Sequence, residues 1–569
     1  MVAKEGMARD LTGLVFAAGM LLAWLGARQA SSHPAHAKPV NYPFVVGFER
    51  FHGSLDDEDY LAEGGFLLLN ELNCVACHAP PAALAAQFPG IAATSLAGVA
   101  SRLAPVEIEL FVRNPRFAKR DTTMPSLFAG PDRDLDEVAA LRAWLATLVE
   151  EIPDHPVGEV EAGRVLYHRI GCVACHAPEA GYRPPGIPEN AEIELAGLPS
   201  VPMNLADFYD YGALVEFLLD PNRHRPSGRM PDFGLSPGQA RDLAAYLKAG
   251  PDLVLPENLT EALAVPDAEA DPVLIARGRG LFLAKSCHAC HALPDGADGA
   301  DGASGSDRVR AGPSARPLAD LAPGSADGCL SERPEGGAMP FYGLDAVQRR
   351  AIAAALRRLP DRAPLPPAQD LEWRMKQLNC YACHERDGIG GPETSREAYF
   401  GFALPEAVAM GRWGHLPPAL DGIEKKLTED WLRRVLGGEG RPPKVRPGLA
   451  TDMPRFRHET VAPILEVLLS AADKEANGKE AVAPSSDEAR AARLFAEESC
   501  SRCHSPDGAR AKDWPGIDLG LAPRRLRRPY FDEALASPGE HFPAVPKPAV
   551  GDKADAEALW RWLGRRAKP

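Results

Sequence analysis

The sequence predicts an all-α protein built as a tandem array of five small units, with short helices and long irregular loops. Three observations predict it. The pentapeptide Cys-x-x-Cys-His occurs five times in 569 residues, about one copy per hundred residues, an ordinary domain size. The segments flanking the copies space apolar residues at three and four, and no alternating run of β-branched residues competes. The chain also holds 55 prolines and 52 glycines, which shorten helices and demand loops.

Taken in order, the first element is a leader. Leu11–Ala27 is uncharged, follows Lys4 and Arg9, and precedes Ala35-His36-Ala37, a small-x-small cleavage pattern. Its 17 residues are long for a signal core and short for a span. Residues 1–37 are therefore a signal peptide or a membrane anchor, and either places the remainder outside the cytoplasmic membrane, as in the periplasm. The five units follow at 38–153, 154–262, 263–362, 363–474 and 475–569. Their boundaries fall at Pro153–Gly158, Pro251–Pro272, Pro360–Pro367 and the polar Ala472–Ser486.

Helices are expected on both sides of the motifs. Glu161–Ile170 puts Val165, Leu166 and Ile170 on one side before the second copy. Leu135–Leu148 places Leu135, Val138, Leu141, Leu145 and Leu148 at helical spacing after the first. Ser236-Pro237 reads as N-cap and first-turn proline of a helix running to Leu247. Counterparts are Leu344–Leu359, Val461–Leu469 and Ala554–Leu563, the last with Trp560 and Trp562.

The motifs are Cys74-Val75-Ala76-Cys77-His78, Cys172-Val173-Ala174-Cys175-His176, Cys287-His288-Ala289-Cys290-His291, Cys380-Tyr381-Ala382-Cys383-His384 and Cys500-Ser501-Arg502-Cys503-His504. They use ten of the 11 cysteines. Two thiols about one helical turn apart can add to the two vinyl groups of one haem, with the next histidine beneath the iron as proximal ligand. Tetrahedral zinc takes two such pairs, and five pairs leave one without a partner. A thioredoxin-like dithiol calls for no following histidine. Five covalently bound haem c groups are the reading.

The methionines test it. An electron-transferring haem usually takes a second axial ligand, and a thioether favours ferrous iron. Of the 10 methionines, Met1, Met7 and Met20 lie in the leader. Four others precede proline, at Met124, Met230, Met339 and Met453, each between one of the first four motifs and the next. A lone methionine is normally core filler. One Met-Pro per motif, four times in succession, points to ligation.

Helix, Cys-x-x-Cys-His, a proline-rich stretch with Met-Pro, and a closing helix together resemble a class I cytochrome c domain. Nearly the whole chain after the leader carries the pattern, so it looks like a multidomain, pentahaem bacterial c-type cytochrome. The resemblance implies that the closing helix packs back on the first, and that basic runs between motif and ligand bind haem propionates. Here those runs are Arg113–Arg120, Arg223–Arg229, Arg441–Arg446 and Arg524–Arg528. Ordinary solvated charge explains any one of them equally well.

The fifth unit departs, having no methionine after Met453. Met124 follows Pro115 by nine positions and Met230 follows Pro221 by nine, and the same step from Pro538 reaches Lys547-Pro548. His541 is the other candidate, since no other histidine follows His504. An imidazole binds iron readily, whereas a lysine must first lose a proton from a group whose reference pKa is about 10.4. A nitrogen ligand lowers the potential of this haem, and a fifth iron with neither ligand is reactive.

The net charge of −15 argues against nucleic acid and favours docking on basic patches of redox proteins or of a membrane respiratory complex. No Gly-rich nucleotide loop, further metal constellation or nucleophile triad stands out. An electron carrier is preferred. The alternatives are a peroxidase-like redox enzyme with the fifth haem as its catalytic site, and a cytochrome subunit of a membrane dehydrogenase or oxidase. Cys329 reads as a lone loop thiol and His288 as filler between two thiols. Asp295–Asp307 is a low-complexity surface insertion. Pro43–Phe51, with three phenylalanines, either caps the first unit or meets a partner.

Overall fold

The computed structural model describes residues 40–566 except 54–56, 120, 129–133, 185–199, 202, 204–207, 250–270, 293–314, 324–327, 334–338, 401–413, 415, 438–444, 446–448, 450, 472–487, 499, 508–516 and 542–548. The leader, Asp295–Asp307, Ala472–Ser486, Lys547 and most of Arg441–Arg446 lie outside the described residues. Among the described residues no helix is long and apolar enough to cross a membrane.

The described chain is mostly helical, and its strands are a two-residue pairing of Glu385–Arg386 with Ile389–Gly390. The first half contributes α1 (Glu58–Glu71), α2 (Pro105–Arg113), α3 (Leu135–Leu145), α4 (Val160–Tyr167), α5 (Tyr211–Leu219), α6 (Pro237–Leu247) and α7 (Pro272–Ala284). The second half contributes α8 (Ala346–Arg358), α9 (Pro367–Gln377), α10 (Glu429–Leu436), α11 (His458–Ser470), α12 (Glu488–Glu497), α13 (Arg528–Ala536) and α14 (Lys553–Arg566).

Side chains set the starts. Asp57 accepts from the Tyr60 amide at α1, and Asp134 accepts from Asp136 and Glu137 at α3. Ser236 with Gln239 and Asp345 with Gln348 make reciprocal capping boxes at α6 and α8. The helices expected over Glu161–Ile170 and Leu135–Leu148 stop earlier, at Tyr167 and Leu145. Beyond Tyr167 the chain must turn into the motif, and Gly171 supplies the left-handed residue.

Three helix pairs close within contiguous sequence: α4 on α6, α9 on α11, and α12 on α14. The other two do not. α1 packs on α8, and α7 packs on α3. The tandem boundaries 38–153 and 263–362 are thus crossed, because each of these stretches gives its closing helix to the other.

Close helix approach rests on glycine. Gly65, Gly163 and Gly278 stand nine residues before Cys74, Cys172 and Cys287. A Cβ there would lie 1.9 Å from the Ala351 oxygen, 1.9 Å from the Asp242 oxygen and 2.0 Å from the Ala140 oxygen. Five residues before each first cysteine, Leu69, Tyr167, Phe282, Met375 and Phe495 fill the buried face of each first helix. Tyr167 meets Tyr246, Phe282 meets Trp144 and Phe495 meets Trp562.

The Met-Pro stretches form seams. Ser126 and Phe341 exchange both backbone hydrogen bonds at 2.9 Å, and Asp232 and Arg455 do the same at 2.9 and 2.6 Å. Leu427 bridges Leu526, and one apolar core runs through α9, α10, α11, α12, α13 and α14. Pro43–Phe51 acts as a strap. Val45 and Phe48 enter the α1 and α8 core, Gln348 donates to the Pro43 oxygen at 2.7 Å, and Phe51 meets Tyr381 edge-on. The linkers Pro153–Gly158 and Pro360–Pro367 are packed too: Tyr211 holds Pro156 and Gly158, and Arg362 joins Glu63 at 2.6 Å.

Candidate functional site

All five motifs adopt one local shape. The residue before the first cysteine is left-handed at Asn73, Gly171, Ser286 and Asn379, with φ of 59°, 112°, 59° and 55°. In these four motifs that turn ends the preceding helix and starts a single 3₁₀ turn, at Cys74–Ala76, Cys172–Ala174, Cys287–Ala289 and Cys380–Ala382, and the fifth motif forms the same 3₁₀ turn at Cys500–Arg502. Each histidine amide then donates to the carbonyl of its first cysteine, at 2.8 to 3.0 Å.

The imidazoles are oriented by backbone. Nδ1 of His176, His384 and His504 lies 2.8 Å from the carbonyl oxygens of Val201, Pro418 and Ile517. His78 Nδ1 reaches Arg316 at 2.7 Å, and His291 Nδ1 reaches Thr94 at 2.9 Å. A carbonyl partner makes Nδ1 the protonated nitrogen and leaves the Nε2 lone pair for a metal.

The sulfur chemistry discriminates between uses of the motif. Burial pushes the Cys74, Cys172 and Cys380 thiols up to about 12, and Cys287 and Cys290 up to about 11. Cys77, Cys175 and Cys383 are also raised by burial. Redox dithiols and zinc ligands need thiolate, which this setting opposes. A neutral thioether suits it. None of the cysteines is disulfide-bonded. Neutral sulfurs beside an oriented histidine fit covalent haem c.

The methionines occupy different settings. Met230 packs against the α4 and α6 core, the same core that Cys172 packs against. Met124 and Met453 are half-buried, and the Met124 amide donates to Thr122 Oγ1 at 3.2 Å. Met339 is exposed, with its methyl 3.1 Å from the Cβ position of Gly328.

His541 ends the turn Pro538–His541, against the Tyr530 ring at 5.1 Å and 3.7 Å from Glu533. In the Cys172 unit the matching turn is Pro221–His224, so His541 stands in register with His224, six residues before the methionine place.

Several basic residues of these runs are paired, even where the side chain stays exposed, as at Arg223. Arg223 pairs with Glu150 at 2.5 Å, Arg229 with Glu71 at 2.5 Å, and Arg528 with Asp532 and Glu557. Arg527 is buried and donates to the Leu427 oxygen at 2.8 Å. These runs therefore tie units together. Cys329, expected in a loop, sits in the 3₁₀ turn Gly328–Leu330, near enough to Cys74 to help raise its pKa. His288 is half-buried within its motif turn.

Sequence reasoning missed the residues that join motifs. Asn73 Nδ2 donates to Cys290 Sγ at 3.1 Å, and Asn379 Nδ2 donates to Cys175 Sγ at 3.2 Å. Tyr342 is half-buried, close enough to Cys74, Cys77, Cys290 and Cys329 for them to help raise its pKa. Arg396 is buried and donates to the Val173 and Ala174 oxygens and to Ser200 Oγ. The available signal was asparagine before the first cysteine in the first and fourth motifs.

Residues 160–250 match the family described as Cytochrome c. No curated protein and no solved structure matches the chain. The match supports a c-type cytochrome, a haem-based electron-transfer protein with iron in covalently bound haem c.

Proposed function

We propose that the chain is a five-haem c-type cytochrome that works outside the cytoplasmic membrane and carries electrons between redox proteins or to a membrane respiratory complex. The thioether positions are Cys74 and Cys77, Cys172 and Cys175, Cys287 and Cys290, Cys380 and Cys383, and Cys500 and Cys503. His78, His176, His291, His384 and His504 are the proximal ligands, and Met124, Met230, Met339 and Met453 supply four distal ones. Bound haem supplies a one-electron ferric/ferrous couple. The protein's share is to hold each imidazole by its Nδ1 proton, to keep water from the sulfurs, and to bring motifs together.

The contact between motifs carries the reading. Amide side chains reach the sulfur of a neighbouring unit at 3.1 and 3.2 Å, at Asn73 and Asn379. Ala174, Cys175, Ala382 and Cys383 share one apolar cluster with Phe400 and Leu416. These contacts bring the cysteines of each pair together, and the Arg229–Glu71 ion pair links the Cys172 unit to α1. The haem count of the purified chain by the pyridine assay tests this. Five per chain is expected, and three or fewer refutes it. The leader and the charge of −15 support the placement and the basic-patch partners.

One observation favours a second reading, a redox enzyme acting at the last haem. His541 sits at the place of His224 rather than at the methionine place, which leaves Lys547 or an open position. Carbon monoxide added to the dithionite-reduced protein decides. No spectral change keeps the carrier; a change worth about one haem in five makes the last unit an open, reactive site.

A further inference from the structure

We propose that the distal methionines of the first and third sites are exchanged, so that Met339 serves the iron beneath His78 and Met124 serves the iron beneath His291. The inference rests on the haem reading above. The Cys172 unit shows the order within one site. After α4 and His176 come the carbonyl that orients the imidazole, at Val201, then Met230, then the closing helix α6, all around one core containing Cys172.

From His78 the same order continues in the third stretch. Arg316 orients the imidazole, Leu318, Leu321, Leu330, Tyr342 and Leu344 line the core that holds Cys74, and α8 closes it. Met339 lies within that run, three residues before Tyr342, and its methyl approaches Gly328, the neighbour of Cys329. From His291 the order continues in the first stretch. Thr94 orients the imidazole, Val99, Ile108, Leu127 and Phe128 line the core that holds Cys287, and α3 closes it. Met124 stands three residues before Leu127.

The crossing itself is held. Asn73 accepts from the Ile91 amide and donates to the Ile91 oxygen, both at 3.0 Å, and the Ala93 amide then donates to the Cys290 oxygen at 3.1 Å. Charge selects the same partners. α1 carries Glu58, Asp59, Glu63 and Glu71 with no basic residue, and α8 carries Arg349, Arg350, Arg357 and Arg358 with no acidic one. α7 carries Arg277 and Arg279, while α3 carries Asp136 and Glu137 against Arg142. The exchange therefore joins −4 to +4 and +2 to −1, whereas contiguous closure would join −4 to −1 and +4 to +2. Each surface pair contributes little, but like-charge juxtaposition disfavours the alternative. Arg357–Glu58 at 2.9 Å and Lys285–Glu137 at 2.6 Å are the resulting contacts.

The test uses the full-length holoprotein and the far-red sulfur-to-iron band of ferric His/Met haem. In a chain lacking the third haem, Cys287→Ala with Cys290→Ala, Met124→Ala is expected to leave the band unchanged and Met339→Ala to remove one share of it. The opposite pattern overturns the exchange. Because that chain could misfold, zero-length carbodiimide cross-linking of the unmutated protein decides independently. A Lys285–Glu137 link is expected in the digest. Recovery of the Lys376–Glu372 link, whose partners lie 2.7 Å apart in α9, without the Lys285–Glu137 link overturns it. A preparation without haem sinks the carrier reading instead, and the cross-link still reports the helix exchange.

Discussion

The Cys74 and Cys287 units form one pair, and the Cys172 and Cys380 units form another. Both pairs use the same contacts. An asparagine before the first cysteine of one motif donates to the second sulfur of the other, and the Met-Pro stretches exchange two backbone hydrogen bonds. They differ in connectivity, since α1 and α7 trade closing helices and α4 and α9 keep their own. How two units meet is therefore separable from which segment completes each. The first pair is interlocked, and the second is held by its surface alone, with Arg396 as the buried clamp.

The largest test of this contrast is a steric one. Gly278→Leu and Gly163→Leu each push a side chain into a facing carbonyl at 2.0 and 1.9 Å. Each is expected to cost about 3 kcal/mol, the upper end of overpacking. Limited proteolysis separates them. Gly163→Leu should open only 160–250, whereas Gly278→Leu should open both stretches of the interlocked pair together. Cleavage confined to 272–292 would contradict the interlock.

The strap sharpens the contrast through pH. Burial pushes the Glu49 carboxyl up to about 7; nearby Asp345 adds to this, and the Tyr42 hydroxyl at 3.2 Å opposes it. A carboxyl raised on folding contributes stability that is fully present below its unfolded pKa and is lost as pH rises through about 7. Glu49→Gln should remove up to about 3 kcal/mol of that dependence. His224, in the second pair, acts in the other direction. Burial lowers it to about 4, with Arg102 and Arg223 adding. Its contribution is full above the unfolded pKa and is lost as pH falls toward about 4, so His224→Gln should flatten the acid limb. Urea midpoints across pH 4 to 8, for each variant against the parent, check both signs.

The asparagines come next. Asn379→Ala removes one hydrogen bond to sulfur and should cost about 1 kcal/mol. Asn73→Ala also strands both backbone groups of Ile91 at the crossing and should cost about 2 kcal/mol. Equal midpoints in urea would mean that the crossing needs no anchor. The smallest effect is electrostatic. Arg357→Glu should cost less than about 1 kcal/mol, and Glu58→Lys in the same chain should restore it.

Much of the site was legible because covalent attachment demands two cysteines and a histidine at fixed spacing, whatever surrounds them. The all-α class and the closing helices at Ser236, Leu344 and Val461 were also legible, since helical periodicity and capping are local. The orienting carbonyls were not. Thr94 lies 16 residues after His78 and Arg316 lies 25 after His291, within the range of 13 to 34 found from His504 to Ile517 and from His384 to Pro418. Contiguous and exchanged closure thus satisfy the same spacing.

The sequence by itself determined five Cys-x-x-Cys-His motifs, four Met-Pro stretches, a helical class and a last unit without methionine. Tertiary structure alone decided which closing helix and which orienting carbonyl complete the first and third sites. Gly65 and Gly278 present the same groove, and Ala351 and Ala140 offer the same backbone ridge, so local pattern fits either partner. The choice is made by opposite charge across the paired helices and by the seam that brings Asn73 to Cys290, both of which exist only when distant segments meet.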